Sequence, residues 1–428
     1  MFKNNEKKRK PLLRVLFVTE SYPPSTYGGG EISCSLLAEG IAKREGVHVT
    51  VLTSKVEGLD HTYEKNGVRI LRRLKTGGNR STFKGNIKRR LFFKRSVKKE
   101  LGKIIDNYDL VHFFNITSIV DVQKPSFATI NSYVNFCPKG NLFYKGERVC
   151  RGCAPIKFTG CITNSEYVGG YELTSLLKYN PVFWLTIYLD YLKRKKSLKN
   201  VDHFFSLSEF INKLLIKEGI SPQNITKVVN MPDIEKSNRK MDLPKKGVNI
   251  SYIGQLGKIK GVDLLIRAFN KPDTDAKLII VGDGPERDEL EKMAKSNSNI
   301  IFLGKVEHES IHSVYEQSDV IVVPSVWPEP LSRVLLESAY FGKPVIATKV
   351  GGSPEIIEHR YNGLLTKTTV NDLAEKIRFI VDRDEMRETM GRNMKVYYEK
   401  KLSREKILDK IIKTYKDHLG YLGQDMGG

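Results

Sequence analysis

The sequence predicts an α/β protein of two doubly wound, Rossmann-like domains facing a cleft. Three observations lead there. Short β-branched apolar runs alternate with segments of helical periodicity along the chain until helices alone follow from Val370, the pattern of parallel sheets covered by helices. A chain of 428 residues exceeds one ordinary hydrophobic core, so two domains are expected. A polar, charged, proline-containing stretch near the middle, at 235–247, reads as the link between them. The expected divisions are 11–235, a linker at 236–247, a second domain at 248–402 and a helical tail at 403–428.

Composition narrows the class. An apolar fraction of 40% with 28% charged residues suits a soluble globular protein. The net charge of +22 favours an anionic partner: nucleic acid, anionic lipid or a phosphorylated substrate. A lysine-rich background composition gives the same excess. No DNA- or RNA-binding motif stands out, so nucleic acid is not an expected partner. The apolar stretch Leu12–Val18 is broken by Arg14, is too short to span a membrane and lacks a cleavage site. It reads as a strand, not a signal peptide, in a cytoplasmic protein.

Val15–Thr19 is the first expected strand. Tyr22-Pro23-Pro24 and Gly28-Gly29-Gly30 form a turn, and Glu31–Arg44 a helix with Ile32, Leu36, Leu37 and Ile41 on one face. A glycine turn between strand and helix makes a cradle for an anion, because glycine lets the backbone approach phosphate closely. This turn is neither G-x-G-x-x-G nor a Walker A loop. Val47–Thr53 is the second strand. Lys84–Lys103 is basic, with Ile87, Leu91, Phe92, Val97 and Leu101 interleaved. It suits a helix packed on the core, or one gripping anionic lipid. Asp109–Phe114 and Phe127–Asn131 are further strands, and the lone His112 on the first reads as structural.

Cys137, Cys150, Cys153 and Cys161 follow in the pattern C-x12-C-x2-C-x7-C. In a cytosolic chain this suits a tetrahedral thiolate site for a structural zinc ion better than disulfides. An iron–sulfur cluster and free or disulfide-bonded cysteines are the alternatives, and Cys34 reads as core. Tyr179–Lys196 is a mostly apolar run ending in a basic cluster. Too short to cross a bilayer, it suits a half-buried helix or a membrane-surface patch, with Trp184 and its tyrosines above a Lys/Arg tail.

The second domain opens with I-S-Y-I-G-Q-L-G-K-I-K-G, a strand and a turn. Leu278–Val281 runs into G-D-G-P, and Ile301–Val306 is the next strand. Asp273-Thr274-Asp275 precedes a strand and reads as a loop at the wrong end of the sheet for ligand binding. Val320–Val323 is a buried strand. A loop with Trp327, Pro328, Glu329 and Pro330 follows, then a helix from about Leu331 to Phe341 stopped by Gly342. Val345–Thr348 and the Gly351-Gly352 turn complete one parallel unit, whose ligands bind outside the carboxyl ends of the strands. The helix N-terminus, with N–H groups around Leu331 and Ser332, suits a phosphate. Glu329 and Glu337 on either side are ready to accept from hydroxyls. A solvated loop acid and a surface helix acid would show the same spacing.

P-E-P-L-S-R-V-L-L-E-S-A followed by G-K-P-V-I-A-T-K-V-G-G-S-P-E resembles the signature of retaining family 4 glycosyltransferases, of the two-domain GT-B fold. That family pairs two glutamates with seven residues between them, as Glu329 and Glu337 are placed. The resemblance implies sugar transfer, with retention, from a UDP- or GDP-sugar to a hydroxyl of a glycan or lipid-linked acceptor, in polysaccharide or glycolipid assembly. Such a protein works in the cytoplasm, free or peripheral on the anionic inner face of the cell membrane. No cofactor is implied for catalysis.

The resemblance also assigns roles. Glu329 would hold the sugar hydroxyls and steady positive charge at the anomeric carbon. Pro330, Leu331 and Ser332 would frame the diphosphate, and Glu337 would bind the ribose. Lys260 keeps the lysine of the family's G-R-L-x-x-x-K-G turn. Gln255 replaces its arginine, trading a charged phosphate contact for a neutral one at about 1–2 kcal/mol. Gly28, Gly29 and Glu31 match a G-G-x-E turn that closes over the donor phosphates. In T-I-N-S-Y-V-N-F-C-P, Asn131 and Ser132 stand where histidine and aspartate are usual. Asparagine can bond a sugar hydroxyl but cannot titrate. Some relatives carry a cysteine-bearing insertion like that at about 137–161, and the last helix, Ile407–Leu419, is expected to cross back to the first domain. Asn131 and Gln255 also motivate a rival, a nucleotide-sugar-binding GT-B protein whose chemistry is lost. Phosphorolysis or epimerisation on the same fold is a third reading.

Overall fold

The computed structural model describes residues 13–25, 29–76, 83–114, 119–145, 148–165, 167–168, 171–172, 175–233, 241–244 and 246–420. Its first half runs β1 (Leu13–Val18), α1 (Gly29–Ala42), β2 (Val47–Ser54), β3 (Thr62–Lys65), β4 (Val68–Leu74), α2 (Phe83–Ile104), β5 (Leu110–Phe114) and β6 (Ser126–Ile130). Two small hairpins and two helices follow: β7 (Phe143–Tyr144), β8 (Arg148–Val149), α3 (Pro155–Thr163), β9 (Tyr167–Val168), β10 (Tyr171–Glu172) and α4 (Ser175–Lys178). Helix α5 (Pro181–Ser197), β11 (His203–Ser206), α6 (Glu209–Lys217) and β12 (Ile225–Lys227) complete it. The main strands form one eight-stranded sheet in the order β12-β11-β6-β5-β1-β2-β4-β3. All its pairings are parallel except β3 with β4.

The second half runs β13 (Asn249–Ile253), α7 (Val262–Phe269), β14 (Lys277–Val281), α8 (Arg287–Ala294), β15 (Ile300–Gly304), α9 (His308–Gln317), β16 (Val320–Val323) and α10 (Arg333–Phe341). Then come β17 (Val345–Thr348), α11 (Ser353–Ile356), β18 (Gly363–Thr366), α12 (Val370–Val381), α13 (Asp384–Tyr397) and α14 (Arg404–His418). Its sheet is six-stranded and wholly parallel, in the order β15-β14-β13-β16-β17-β18. The strands are apolar on both faces because helices cover both. Val320–Val323 is buried at every position. The protein is therefore α/β with two doubly wound domains.

Both sheets place a crevice where strand order reverses, and ligands sit outside the carboxyl ends of strands at such points. In the first domain the reversal lies between β1 and β5. In the second it lies between β13 and β16. The loop after β13 carries Gln255 and Lys260, and the loop after β16 carries Glu329. Topology alone thus brings together residues 69 positions apart.

Helix α14 lies on the first domain. Ile407, Leu408, Ile411 and Tyr415 are buried in one apolar cluster with Leu37, Ile41 and Phe127. Arg44 meets Asp409 at 2.8 Å. His112, fully buried, bonds the Tyr415 hydroxyl through Nδ1 and the Thr129 hydroxyl through Nε2 at 2.7 Å. Both ring nitrogens are engaged, so His112 is a structural residue. Burial pushes its pKa down to about 3.

Most boundaries differ from the sequence reading by one to three residues, within ordinary fraying. Several elements were absent from that reading: the β7–β8 and β9–β10 hairpins, the short helices α3 and α4, and the antiparallel β3–β4 hairpin. The turn of the β3–β4 hairpin is the clearest of these. It is Asn66-Gly67, both with positive φ (50° and 79°), the Asn-Gly geometry that matches strand twist. Asp273-Thr274-Asp275 lies in the loop before β14, away from the crevice. Gly28 and half of the 236–247 linker, residues 236–240 and 245, fall outside the described residues.

Candidate functional site

Backbone contacts build the second domain's half of the crevice. Gly261, at φ +70°, ends the Lys258–Lys260 turn; a Cβ there would meet the Pro324 carbonyl at 2.2 Å. Gly351, at φ +53°, lies on the Glu329 loop, where a Cβ would meet the Glu329 carbonyl at 1.9 Å. The Gly352 N–H donates to that same carbonyl at 3.0 Å. Val326 N–H donates to Ile259 O, also at 3.0 Å. The loops bearing Lys260 and Glu329 are thus fixed to each other through main chain, which larger residues would separate.

Two side chains meet on this frame. Lys260 Nζ stands 2.7 Å from Glu329 Oε1, both half-buried. The Ser325 hydroxyl donates to Glu329 Oε2 at 2.9 Å. The Trp327 ring lies 5.8 Å from the Lys260 ammonium, within cation–π range. Glu329 is therefore not a solvated loop acid. It is oriented by a cation and a hydroxyl.

Glu337 is held as firmly. It is half-buried on α10, where Tyr315 donates to Oε2 at 2.6 Å and Arg333 reaches Oε1 at 3.4 Å. Burial and Glu337 itself raise the Tyr315 phenol well above its ordinary pKa, so it stays a donor. Arg333 also meets Asp233 at 3.5 Å, near the interdomain linker. Helix α10 begins at Arg333, with Ser332 as the capping residue and no side-chain cap. Pro330, Leu331 and Ser332 are buried just before it. Its first N–H groups aim toward the crevice with the positive end of the helix dipole.

The first domain supplies the opposite wall. Tyr133, after β6, donates through its hydroxyl to the Pro328 carbonyl, and its ring packs edge-on to Trp327 at 5.9 Å. Burial, with Glu329 and Glu355 nearby, pushes the Tyr133 phenol far up, so it remains a donor. Gly29 abuts Arg333: a Cβ there would come within 3.0 Å of Arg333 Cδ. Glu31 is buried at the start of α1. Asn131 follows β6 directly, and its Oδ1 is buried without a hydrogen-bond partner among the described residues. Gln255 is exposed, and its carbonyl accepts from the Tyr252 hydroxyl at 2.7 Å and the Gly257 N–H at 3.1 Å. The seam is closed by Glu355, which accepts from the Glu209 N–H at 2.7 Å and meets Lys227 at 3.2 Å.

The structure thus brings Lys260 to Glu329 beside Pro330, Leu331 and Ser332, with Glu337 on the helix that follows, and sets Gly29 and Tyr133 of the first domain against them. Asn131 lies at the end of β6, two residues before Tyr133. Sequence reasoning missed Tyr133, Tyr315, Ser325, Trp327 and Arg333. Arg333 had a signal, lying four residues before Glu337 on one helix. Tyr315, 22 positions from its partner, had none.

The cysteine cluster lies apart from this crevice. Cys137, Cys150, Cys153 and Cys161 line one small cavity of about 20 Å³, with Phe136, Phe143 and Phe158. All four are free thiols. Burial, then the three neighbouring sulfurs, push the Cys153 thiol up to about 12. Among the described residues no three His, Cys, Asp or Glu side chains converge as metal ligands.

Comparison with known proteins agrees with this architecture. Residues 233–397 match the family described as Glycosyl transferases group 1. An uncharacterized glycosyltransferase of Methanocaldococcus jannaschii is 28% identical over 431 residues, covering 96% of this chain and 100% of that protein. Among solved structures, sucrose-phosphate synthase from Thermosynechococcus elongatus superposes with a TM-score of 0.70 at 19% identity, covering 96% of this chain and 100% of its own. HepE of Anabaena in complex with UDP superposes at 0.64 with 17% identity, covering 95% and 100%. These likenesses give the fold: both domains have the GT-B arrangement.

Proposed function

We propose that this chain, a glycosyltransferase with a group 1 domain over residues 233–397, moves a sugar from a nucleotide-diphosphate donor to an acceptor hydroxyl with retention. The observation that carries the reading is the Lys260–Glu329 pair at the reversal of the second sheet, beside the N-terminus of α10. Leaving-group charge is the main thing such a reaction must stabilise, and a cation beside a helix N-terminus does so without reorganising water. Binding of UDP and of UDP-glucose by the similarly folded HepE supports a donor of that class.

Without donor, Lys260 is paired with Glu329. In the proposed reaction the donor diphosphate replaces that carboxylate as the partner of Lys260. Glu329 is then released to the sugar hydroxyls and the charge growing at the anomeric carbon. The bond from that carbon to the diphosphate breaks, and one to the acceptor oxygen forms on the same face. The acceptor proton leaves with the nucleoside diphosphate. Glu337, fixed by Tyr315 and Arg333, accepts from the ribose hydroxyls. Asn131, with its free buried oxygen, takes a sugar hydroxyl from the opposite wall. Assembly of cell-surface polysaccharide or glycolipid is the proposed setting, in the cytoplasm.

Thermal-shift titration with UDP, GDP, ADP and dTDP tests the donor site. One nucleotide should raise the melting temperature of the wild type, and less so that of Glu337→Ala. No shift with any of them would overturn the reading. Binding by the wild type without turnover of any sugar conjugate would favour a donor-binding protein that lacks chemistry, the reading that Gln255 prompts.

For the cysteine cluster the proposal is a structural zinc ion. Four thiols line one cavity, and at Cys153 burial and the three neighbouring sulfurs disfavour ionisation, a cost that a divalent cation relieves. Side-chain rotations would have to bring the sulfurs into convergence. Metal analysis of chain purified without added metal should find zinc, and Cys153→Ser should lower it. Four titratable thiols with no metal would rule the ion out.

A further inference from the structure

Helix α5 turns an apolar face to solvent. Its inner side carries Phe183, Ile187 and Tyr191 into the domain. On the opposite side Val182, Leu185, Leu189 and Leu192 are 71%, 59%, 45% and 41% exposed. Their spacing of three, four and three residues puts them in one stripe, roughly 80° wide at 100° per residue. Tyr179, 67% exposed, stands just before the stripe. Single exposed aliphatic residues are ordinary, but four in a continuous row on one helix mark a surface that is covered in use.

The same face continues into cations. Lys193 and Lys196 are exposed at the end of the stripe, and Lys199 follows past the helix. Among the described residues none of the three meets a carboxylate. The acid of this helix, Asp190, is turned to Arg194 at 3.0 Å, and Lys195 is taken by Glu218 at 2.8 Å. Apolar residues bordered by unpaired lysines complement a surface that is apolar below and anionic at its rim. No described helix is long and apolar enough to cross a membrane. A net charge of +22 argues against a second copy of this chain as the covering surface.

We propose that α5 lies in the interface of an anionic lipid membrane, with Val182, Leu185, Leu189 and Leu192 among the upper acyl chains and Lys193, Lys196 and Lys199 at the level of the phosphates. Two weak attractions, apolar insertion and lysine–phosphate contact, then act together, as reversible membrane binding requires. This goes beyond the sugar-transfer reading and does not depend on it.

The test is co-sedimentation of the full chain with phosphatidylcholine vesicles, with and without phosphatidylglycerol. Wild type should pellet with the anionic vesicles and stay mostly in solution with the neutral ones. Leu185→Ser with Leu189→Ser should weaken anionic-vesicle binding by about tenfold, and so should Lys193→Glu with Lys196→Glu. Both variants should keep the wild-type melting temperature and nucleotide response. Trp184 fluorescence should shift to the blue with anionic vesicles only. Binding unaltered in both variants would overturn the proposal and turn attention to α2. Wild type that ignores vesicles but self-associates, with the serine variant monomeric by light scattering, would assign the stripe to a second copy.

Discussion

The two walls of the crevice are built differently. On the second domain the charged candidates are tied to other side chains: Lys260 to Glu329, Glu329 to Ser325, Glu337 to Tyr315 and Arg333. The loops that carry them are fixed by main-chain contacts at glycines. On the first domain Asn131 keeps an oxygen without a partner among the described residues, and the same domain bears the cysteine segment and the exposed face of α5. On the proposed function the preorganised wall would meet the nucleoside diphosphate and the first-domain wall would meet the acceptor. Preorganisation belongs where charge develops, because groups already in place need not move during reaction.

The sharpest way to break this comparison is Glu329→Gln. It keeps the shape of the loop but removes the charge facing both Lys260 and the sugar. We expect the transfer rate to fall by about 10²–10³-fold, in the range for losing one preorganised group. UDP affinity should persist, since Lys260 is then freed for phosphate. A variant of nearly wild-type rate, followed by sugar-nucleotide consumption, would remove Glu329 from the chemistry.

The next expected effect lies in the first domain and concerns stability. Burial holds His112 neutral, with a pKa of about 3 against 6.5 unperturbed. As pH falls the unfolded chain takes up this proton first, so the contribution of His112 is complete above about 6.5 and is lost progressively toward about 3. Between pH 6.5 and 4.5 the loss should be about 2 kcal/mol. His203, pushed down to about 4 by burial and by His418, acts in the same direction. Urea titrations at several pH values would measure the slope, and His112→Asn should flatten it. An unchanged slope in that variant would show that the acid sensitivity arises elsewhere.

Glu337→Ala comes third. It removes a half-buried acceptor and leaves Tyr315 and Arg333 without it, but touches only the nucleotide's sugar. Nucleotide affinity should fall about tenfold, close to 1.4 kcal/mol. The maximal rate should change much less, since uniform binding and not the transition state is lost. Equilibrium dialysis with initial rates separates the two. A loss confined to the rate would reverse the roles given to Glu329 and Glu337.

What was legible in the sequence follows the same division. Alternating apolar runs and helical segments sufficed for two parallel sheets, because strands buried on both faces carry that pattern. Glu329, Ser332 and Glu337 of the second wall were readable because they lie within one strand–loop–helix unit, where spacing and space are linked; Lys260, after β13, was readable only through the family's turn pattern. Tyr315 was not, since its hydroxyl reaches Glu337 only after α9 packs beside α10. Tyr133 meets Pro328 from 195 positions away, and no local pattern encodes that contact. The α5 stripe was visible as apolar residues, but the sequence could not say which side of the helix would be covered.

Gln255→Arg carries the smallest expected effect and bears most directly on how complete the donor wall is. Gln255 is exposed at the loop after β13, on the strand next to that of Glu329. An arginine there needs no buried space and meets no described side chain that would exclude it. If the diphosphate lies between Lys260 and the start of α10, the new guanidinium can replace a neutral contact by a charged one. UDP should then bind about fivefold more tightly, near 1 kcal/mol, with a steeper salt dependence than in the wild type. Tighter binding without a faster rate would mean that Lys260 and the helix N-terminus already meet the charge of the leaving group. A faster rate as well would mean that the native chain carries out its reaction with one phosphate contact fewer than the fold can provide. No change in either would place the diphosphate away from this loop, and with it the role given to Lys260.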